Sequence, residues 1–452
     1  MRPYAPLTQR SGTALGTCAR SLALAAILAL AALSVIAAKA LLADGSYAML
    51  GILKAQGYWD FDRARAHAMV LTQTPAVLAI KAGARDVVAL IYAFSLGLVG
   101  VPALLWLAAL AMQWRSCLFW TLLMGFCVTH LTSGFCSIGE YNTAYALTAF
   151  CASAMVRPVM GVFASAALTL AALALTRSYE STAYLGPLLA AIAAERLWRR
   201  GREARHAERA ALIVSLALFV AGAAIAARSI MHPRDPGNLA HASTFSWVLT
   251  NGHVILMALV GSIYLTADAC PPRARMATAA IGLTASVAYV ALPGLWNSAE
   301  MSYASRTVSG LMLFVLLAVE WLRFRRDCGA GPSCSARAML ALSLFAAATV
   351  PAFVHTYRFG AWLRSYEKIA LASTGWVAID ETAAGRDGGY LAGYHWGWTS
   401  PSLSIVLRAD AEGGLLNSPS YTGWDPFDPR TLDGNPVRAY RRGRGLHGFG
   451  VW

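Results

Sequence analysis

The 452 residues are 57% hydrophobic and only 13% charged, more apolar surface than one soluble core can hide and too few charges to cover it. That balance excludes an ordinary water-soluble globule and makes lipid the expected solvent. The net charge of +14 would suggest nucleic acid in a soluble protein, but here the excess Arg sits in short loops between apolar runs, where it sets orientation, so nucleic-acid binding is set aside.

Crossing the hydrocarbon takes about 20 apolar residues. Runs of that kind begin near Ser21, Val87, Cys117, Ala144, Gly161, Thr182, Ala210, Trp247, Met276, Val308 and Ala338. They predict an all-α polytopic membrane bundle of about eleven transmembrane helices over residues 21–357. A cytoplasmic segment, residues 1–20, precedes it. With the N-terminus inside, the short-loop arginines gather on the inner face, and only Arg177, Arg228, Arg234 and Arg306 fall outside. The first helix, Ser21 to about Ala43, has an apolar run longer than a cleaved signal needs and is read as a retained span.

Two regions are not spans. Residues 44–86 form a long outer loop that reads as interfacial amphipathic helices, with a break at Pro75. Residues 358–452 read as a small extracytoplasmic module of mixed α/β structure, with a strand expected over Ser402–Leu407. That tail has no Cys, so disulfides do not hold it together.

Ionisable groups at a membrane are expensive, and here they collect on the outer side. They are Asp44, Asp60 and Asp62, Glu140, Arg177 and Glu180, His232, Arg234 and Asp235, and Glu300 with Arg306. Each also has a plainer reading. Asp44 caps a helix starting at Ser46; Asp60 and Asp62 pair with Arg63 or Arg65; Arg177 pairs with Glu180. Lys39 snorkels to the interface, and His130 and His253 are packing residues rather than metal ligands. Glu195, Glu203 and Glu208 on the inner side are ordinary ion-pair partners. In the tail, Tyr394-His395-Trp396-Gly397-Trp398 offers either flat rings for a sugar face or the core of a small domain. No phosphate-binding loop, dinucleotide fingerprint, hydrolase elbow or zinc-protease motif is present, which removes support for ATP-driven transport and nucleotide cofactors.

This layout resembles the GT-C superfamily of membrane glycosyltransferases. A basic N-terminus precedes a first helix ending in an acid, here Asp44; a long outer loop follows; a second acid, Glu140, sits between the third and fourth helices; a soluble segment comes last. The chain also resembles a family of bacterial membrane proteins marked by Asp44-Gly45-Ser46-Tyr47, Arg177-Ser178-Tyr179-Glu180 and Gly423-Trp424-Asp425-Pro426-Phe427-Asp428-Pro429, a likeness that implies no activity. The GT-C resemblance implies a sugar donor on a polyprenyl phosphate and a glycan, lipid or protein acceptor at the outer face of a bacterial inner membrane, with the C-terminus periplasmic. Asp44 would be the catalytic base and Glu140 would position substrate. Arg177, with Arg234 and Arg306 behind it, would meet the leaving phosphate, and Glu180, Asp62, His395 and Trp396 would complete substrate binding. Members often carry paired acids, whereas Asp44 is followed by Gly45 and Glu140 stands alone; a divalent metal is admitted but not required. The alternative expectations are a transporter or lipid-glycan flippase without covalent chemistry, or a scaffold.

Overall fold

The computed structural model describes residues 14–59, 63–131, 139–200, 204–232, 261–266, 271–291, 299–326, 335–374, 376–379, 382, 399–409, 415–417, 437, 439–443 and 445–446. Helix dominates them, at about 84%. Four helical segments, Gly16–Ile36, Val87–Met112, His206–Met231 and Ala336–Ala372, are long and apolar enough to cross a membrane, and Leu118–Leu131 and Val162–Leu175 are shorter apolar helices. This is compatible with a membrane protein. The side chains agree with it: Val162, Phe163 and Leu170 on one short helix and Ile213, Val220 and Met231 on another are all outward-facing and exposed, a stripe that water would penalise.

Two hydrophobic cores are stacked along the molecule. The larger is built by α1 (Ala14–Ile36), α5 (Val101–Met112), α6 (Leu118–Phe126), α7 (Glu140–Met155), α8 (Val162–Leu175), α9 (Thr182–Arg200) and α10 (His206–Met231). To these are added α12 (Ala299–Arg326), which follows α11 (Pro272–Ala291), and the first half of α13 (Ser335–Ala372). The second core joins α2 (Asp44–Ala55), α3 (Ala66–Lys81), α4 (Val87–Ser95), the far half of α13 and α14 (Ser400–Arg408). At ~1.5 Å per residue α13 is roughly 57 Å long, nearly twice a hydrocarbon core of about 30 Å, so one helix serves both. The tail was expected to begin at residue 358, yet the helix continues to Ala372, and Phe359, Trp362 and Tyr366 along it are buried in the second core.

Two further expectations are corrected. Ser402–Leu407 is not a strand but lies within α14, whose Pro401 occupies the first turn, where a missing N–H costs nothing. Tyr366 fixes that turn, donating its hydroxyl to the Ser400 carbonyl at 2.7 Å and contacting Ser404 Oγ at 3.0 Å. Pro75 does not break the outer-loop helix: α3 runs through it, with Thr72 Oγ1 bonded back to the Ala68 carbonyl. Among the described residues of the tail, the strands form one parallel pair, Trp376–Ala378 with Leu415–Asn417. A last strand-like contact ties residue 441 to the start of α4, where the Arg441 N–H bonds the Arg85 carbonyl and the Val87 N–H bonds the Arg441 carbonyl.

Candidate functional site

The polypeptide turns sharply after α1. Ala38 (φ 53) and Ala43 (φ 55) take left-handed or strained backbone on either side of a 3-10 turn at Lys39–Leu41, and α2 then starts at Asp44. Gly45 is a steric necessity there: a Cβ would lie 1.6 Å from the Ala40 carbonyl oxygen. That tight turn explains why no second acid follows Asp44. Capping is not the role of Asp44. Ala43 holds the cap position without a side-chain bond, and Asp44 Oδ1 is buried with no hydrogen-bond partner. Burial pushes its carboxyl above the usual carboxylate range, while the charges of Arg306 and then Arg65 pull the other way.

Glu140 is the first residue of α7, where the helix dipole favours an acid. Burial raises its carboxyl too, opposed chiefly by Arg65, and the charge of Asp44 adds to the rise. Arg65 Nη1 stands 3.8 Å from Glu140 Oε2, and its Nη2 and Nε donate to Glu180 Oε1 at 2.7 and 3.1 Å. Its guanidinium lies over the Tyr179 ring, 4.8 Å from the centroid. Arg306, buried in α12, lies over Tyr141 at 4.9 Å. Its position is fixed from the backbone, since Tyr145 donates to the Arg306 carbonyl at 2.6 Å, and Gly310 admits the Tyr184 and Tyr145 hydroxyls where a Cβ would meet them at 2.1 and 2.8 Å.

Asp44, Glu140, Arg65 and Arg306 therefore lie within electrostatic reach of one another around the start of α7, with Glu180 attached through Arg65. Among the described residues no group of three His, Cys, Asp or Glu side chains could hold a metal ion. The donor set does not suit a divalent cation either, because two guanidinium groups already oppose the carboxylate charges.

No protein-family model matches the chain, and no curated protein is significantly similar to it. Its functional reading rests on the residues themselves.

Three sequence expectations are revised. Arg177 is exposed, and what it contributes is its carbonyl, which accepts the His67 N–H at 3.0 Å and the Ala68 N–H at 3.4 Å. The dense Arg177–Glu180 turn thus docks onto the start of α3, and Glu180 pairs with Arg65 rather than with Arg177. Lys39 does not snorkel: it is 7% exposed, and its Nζ donates to Thr356 Oγ1 at 3.2 Å. Asp60, Asp62, Arg234, His253, His395 and Trp396 lie outside the described residues. At the other end of α9 two of the three acids read as ion-pair partners are described, and Glu203 lies outside the described residues. Glu195 pairs with Arg199 and Arg325, and Glu208 with Arg196.

Arg65 is the residue that sequence reasoning missed. Its only linear signal is its place before an apolar helix, beside Arg63, and nothing there distinguishes a guanidinium turned inward from one in water.

Proposed function

We propose that the chain is a polytopic membrane glycosyltransferase of GT-C type, with eleven spans and a cytoplasmic N-terminus, that moves a sugar from a polyprenyl-phosphate donor to an envelope acceptor at the outer face. The observation that carries this reading is the convergence of Asp44 and Glu140 with Arg65 and Arg306 at the far end of α1. In the proposed step an acceptor hydroxyl loses its proton to the Asp44 carboxylate and its oxygen attacks the anomeric carbon. The bond from that carbon to the phosphate oxygen breaks, and the lipid phosphate leaves with the electron pair. Arg306 faces that developing charge, while Arg65 holds Glu140 and Glu180 in position. Raised by burial, Asp44 is a stronger base than an exposed aspartate, as proton abstraction requires.

The test is release of isoprenyl phosphate from an isoprenyl-phosphate-linked hexose by purified protein in vesicles. Asp44→Asn and Arg306→Gln should each abolish it, and release indifferent to both would exclude the mechanism. Transport without chemistry remains the second reading, favoured by one observation. Lys39, Arg306 and His355 are ionisable groups buried inside the protein.

A further inference from the structure

The Arg177-Ser178-Tyr179-Glu180 turn joins α8 to α9, and three of its four residues act on the start of α3. The Arg177 carbonyl accepts the His67 and Ala68 N–H groups, which anchors the first turn of α3. Glu180 accepts Nε and Nη2 of Arg65, two residues before that anchor. Tyr179 lies against the same guanidinium, 4.8 Å from it. A guanidinium donates in its plane and stacks through its face, so the carboxylate and the ring hold Arg65 from different directions without competing. Tyr179 is itself held in the turn: Ser178 donates back to the Ala174 carbonyl, and the Tyr179 carbonyl accepts the Thr182 N–H at 3.0 Å as α9 begins.

The ring has a second neighbour. Its centroid is 5.7 Å from that of Tyr141, tilted by 55°, and Tyr141 carries Arg306 over its own ring at 4.9 Å. Arg65, Tyr179, Tyr141 and Arg306 thus form a row of cation, ring, ring and cation beside Glu140, drawn from the turn before α3, the turn before α9, α7 and α12. The charges of both arginines act on Tyr179. Two like charges held near each other repel, and the negative faces of aromatic rings offset that without adding a further carboxylate. Among the described residues the Tyr179 hydroxyl makes no hydrogen bond, so the ring face is what this side chain supplies.

We propose that Tyr179 is a positioning residue of the carboxylate site: its ring seats the Arg65 guanidinium and, through Tyr141, sets how closely the two arginines stand beside Glu140. The effect on transfer rests on the glycosyltransferase reading, whereas the seat of Arg65 on the ring does not.

The experiment places phenylalanine and its mono-, di- and trifluorinated analogues at position 179 of the full chain, each with Arg65 and with Arg65→Leu, and reads the unfolding equilibrium in detergent. Fluorine withdraws charge from the ring face and barely alters its shape, so packing is held constant while the attraction for a cation declines. The destabilisation caused by Arg65→Leu should be similar in wild type and Tyr179→Phe, and should shrink with each fluorine by about fivefold in total, within the range of ring–cation contacts. In the Arg65→Leu background the series should be flat. A penalty independent of fluorine count, or a trend that persists in Arg65→Leu, overturns the seat. In the isoprenyl phosphate release assay, Tyr179→Leu should lower kcat about tenfold or more with KM within about twofold, and Tyr179→Phe should restore it. Wild-type kcat in Tyr179→Leu overturns the positioning role; if that variant does not fold, the trifluorinated ring takes its place in the assay. If wild type releases nothing, the transferase reading fails and the fluorine series still decides the seat.

Discussion

Replacing Arg65 with Leu removes the side chain that, among the described residues, joins the acids at the start of α7 and before α9. The Arg65–Glu180 contact has two charge-assisted hydrogen bonds with side-chain exposures of 20% and 28%, which places it between a surface pair and a buried one. Such bonds are worth about 1.5–3 kcal/mol when well desolvated, and solvent screening reduces this to about 1–2 kcal/mol. The Glu140 contact at 3.8 Å carries roughly 4 kcal/mol of bare attraction at an effective dielectric of about 20, most of it offset by desolvation. The sum for Arg65→Leu is about 2–3 kcal/mol. A thermal-unfolding cycle with Glu180→Gln in detergent should return a coupling of about 1–2 kcal/mol. The pH dependence has a definite sign. Glu140 titrates above an ordinary glutamate, so the folded state holds its proton longer than the unfolded chain. Stability therefore falls as pH rises from the ordinary glutamate value to the raised one, and the penalty is constant above it. Loss of Arg65 raises Glu140 further, so the deficit of Arg65→Leu should grow with pH only above the wild-type Glu140 value, up to the higher value Glu140 takes in the variant. A deficit equal at all pH values, or a coupling of zero, would refute this account of the site.

The remaining predictions test separate parts of the structure. Asp44→Asn should unfold at the same temperature as wild type or higher, by up to about 1 kcal/mol, because a neutral amide replaces a carboxylate that burial disfavours; a marked loss of thermal stability would contradict this. Gly45→Ala should cost more than about 3 kcal/mol, read as loss of folded monomer on size exclusion, since its Cβ meets a backbone carbonyl that cannot yield. Arg196→Leu strands Glu208, with side-chain exposures of 6% and 4% in the pair, and removes donors from the Met155 and Arg157 carbonyls; roughly 3–5 kcal/mol should be lost in thermal unfolding. Tyr366→Phe frees the start of α14 and should cost about 1–2 kcal/mol, with faster proteolysis between residues 372 and 400.

Legibility in the sequence followed the range of the interactions. Asp44 and Glu140 could be read as candidates because each stands beside an apolar run, where an acid needs a reason. Which cations meet them could not be read, because Arg65 and Arg306 are 241 positions apart and the packing of α3 and α12 against α7 decides their partners. At the Arg177–Glu180 turn the docking contact is made by the Arg177 backbone carbonyl, which every residue has and no side-chain pattern can reveal. Lys39 was misjudged because α1 stops at Ile36 and the 3-10 turn directs the ammonium inward to Thr356. Ser402–Leu407 alternates as a strand would, yet with Leu403 to Leu407 all buried the alternation carries no information on period.

The most direct test of the central claim is isoprenyl phosphate release from an isoprenyl-phosphate-linked hexose, measured side by side for wild type, Asp44→Asn, Arg306→Gln and Arg177→Gln. The account predicts release by wild type and Arg177→Gln, whose exposed side chain is outside the coupled group, and none by Asp44→Asn or Arg306→Gln. Loss of release in Arg177→Gln with retention in Arg306→Gln, or release that survives Asp44→Asn, would contradict it.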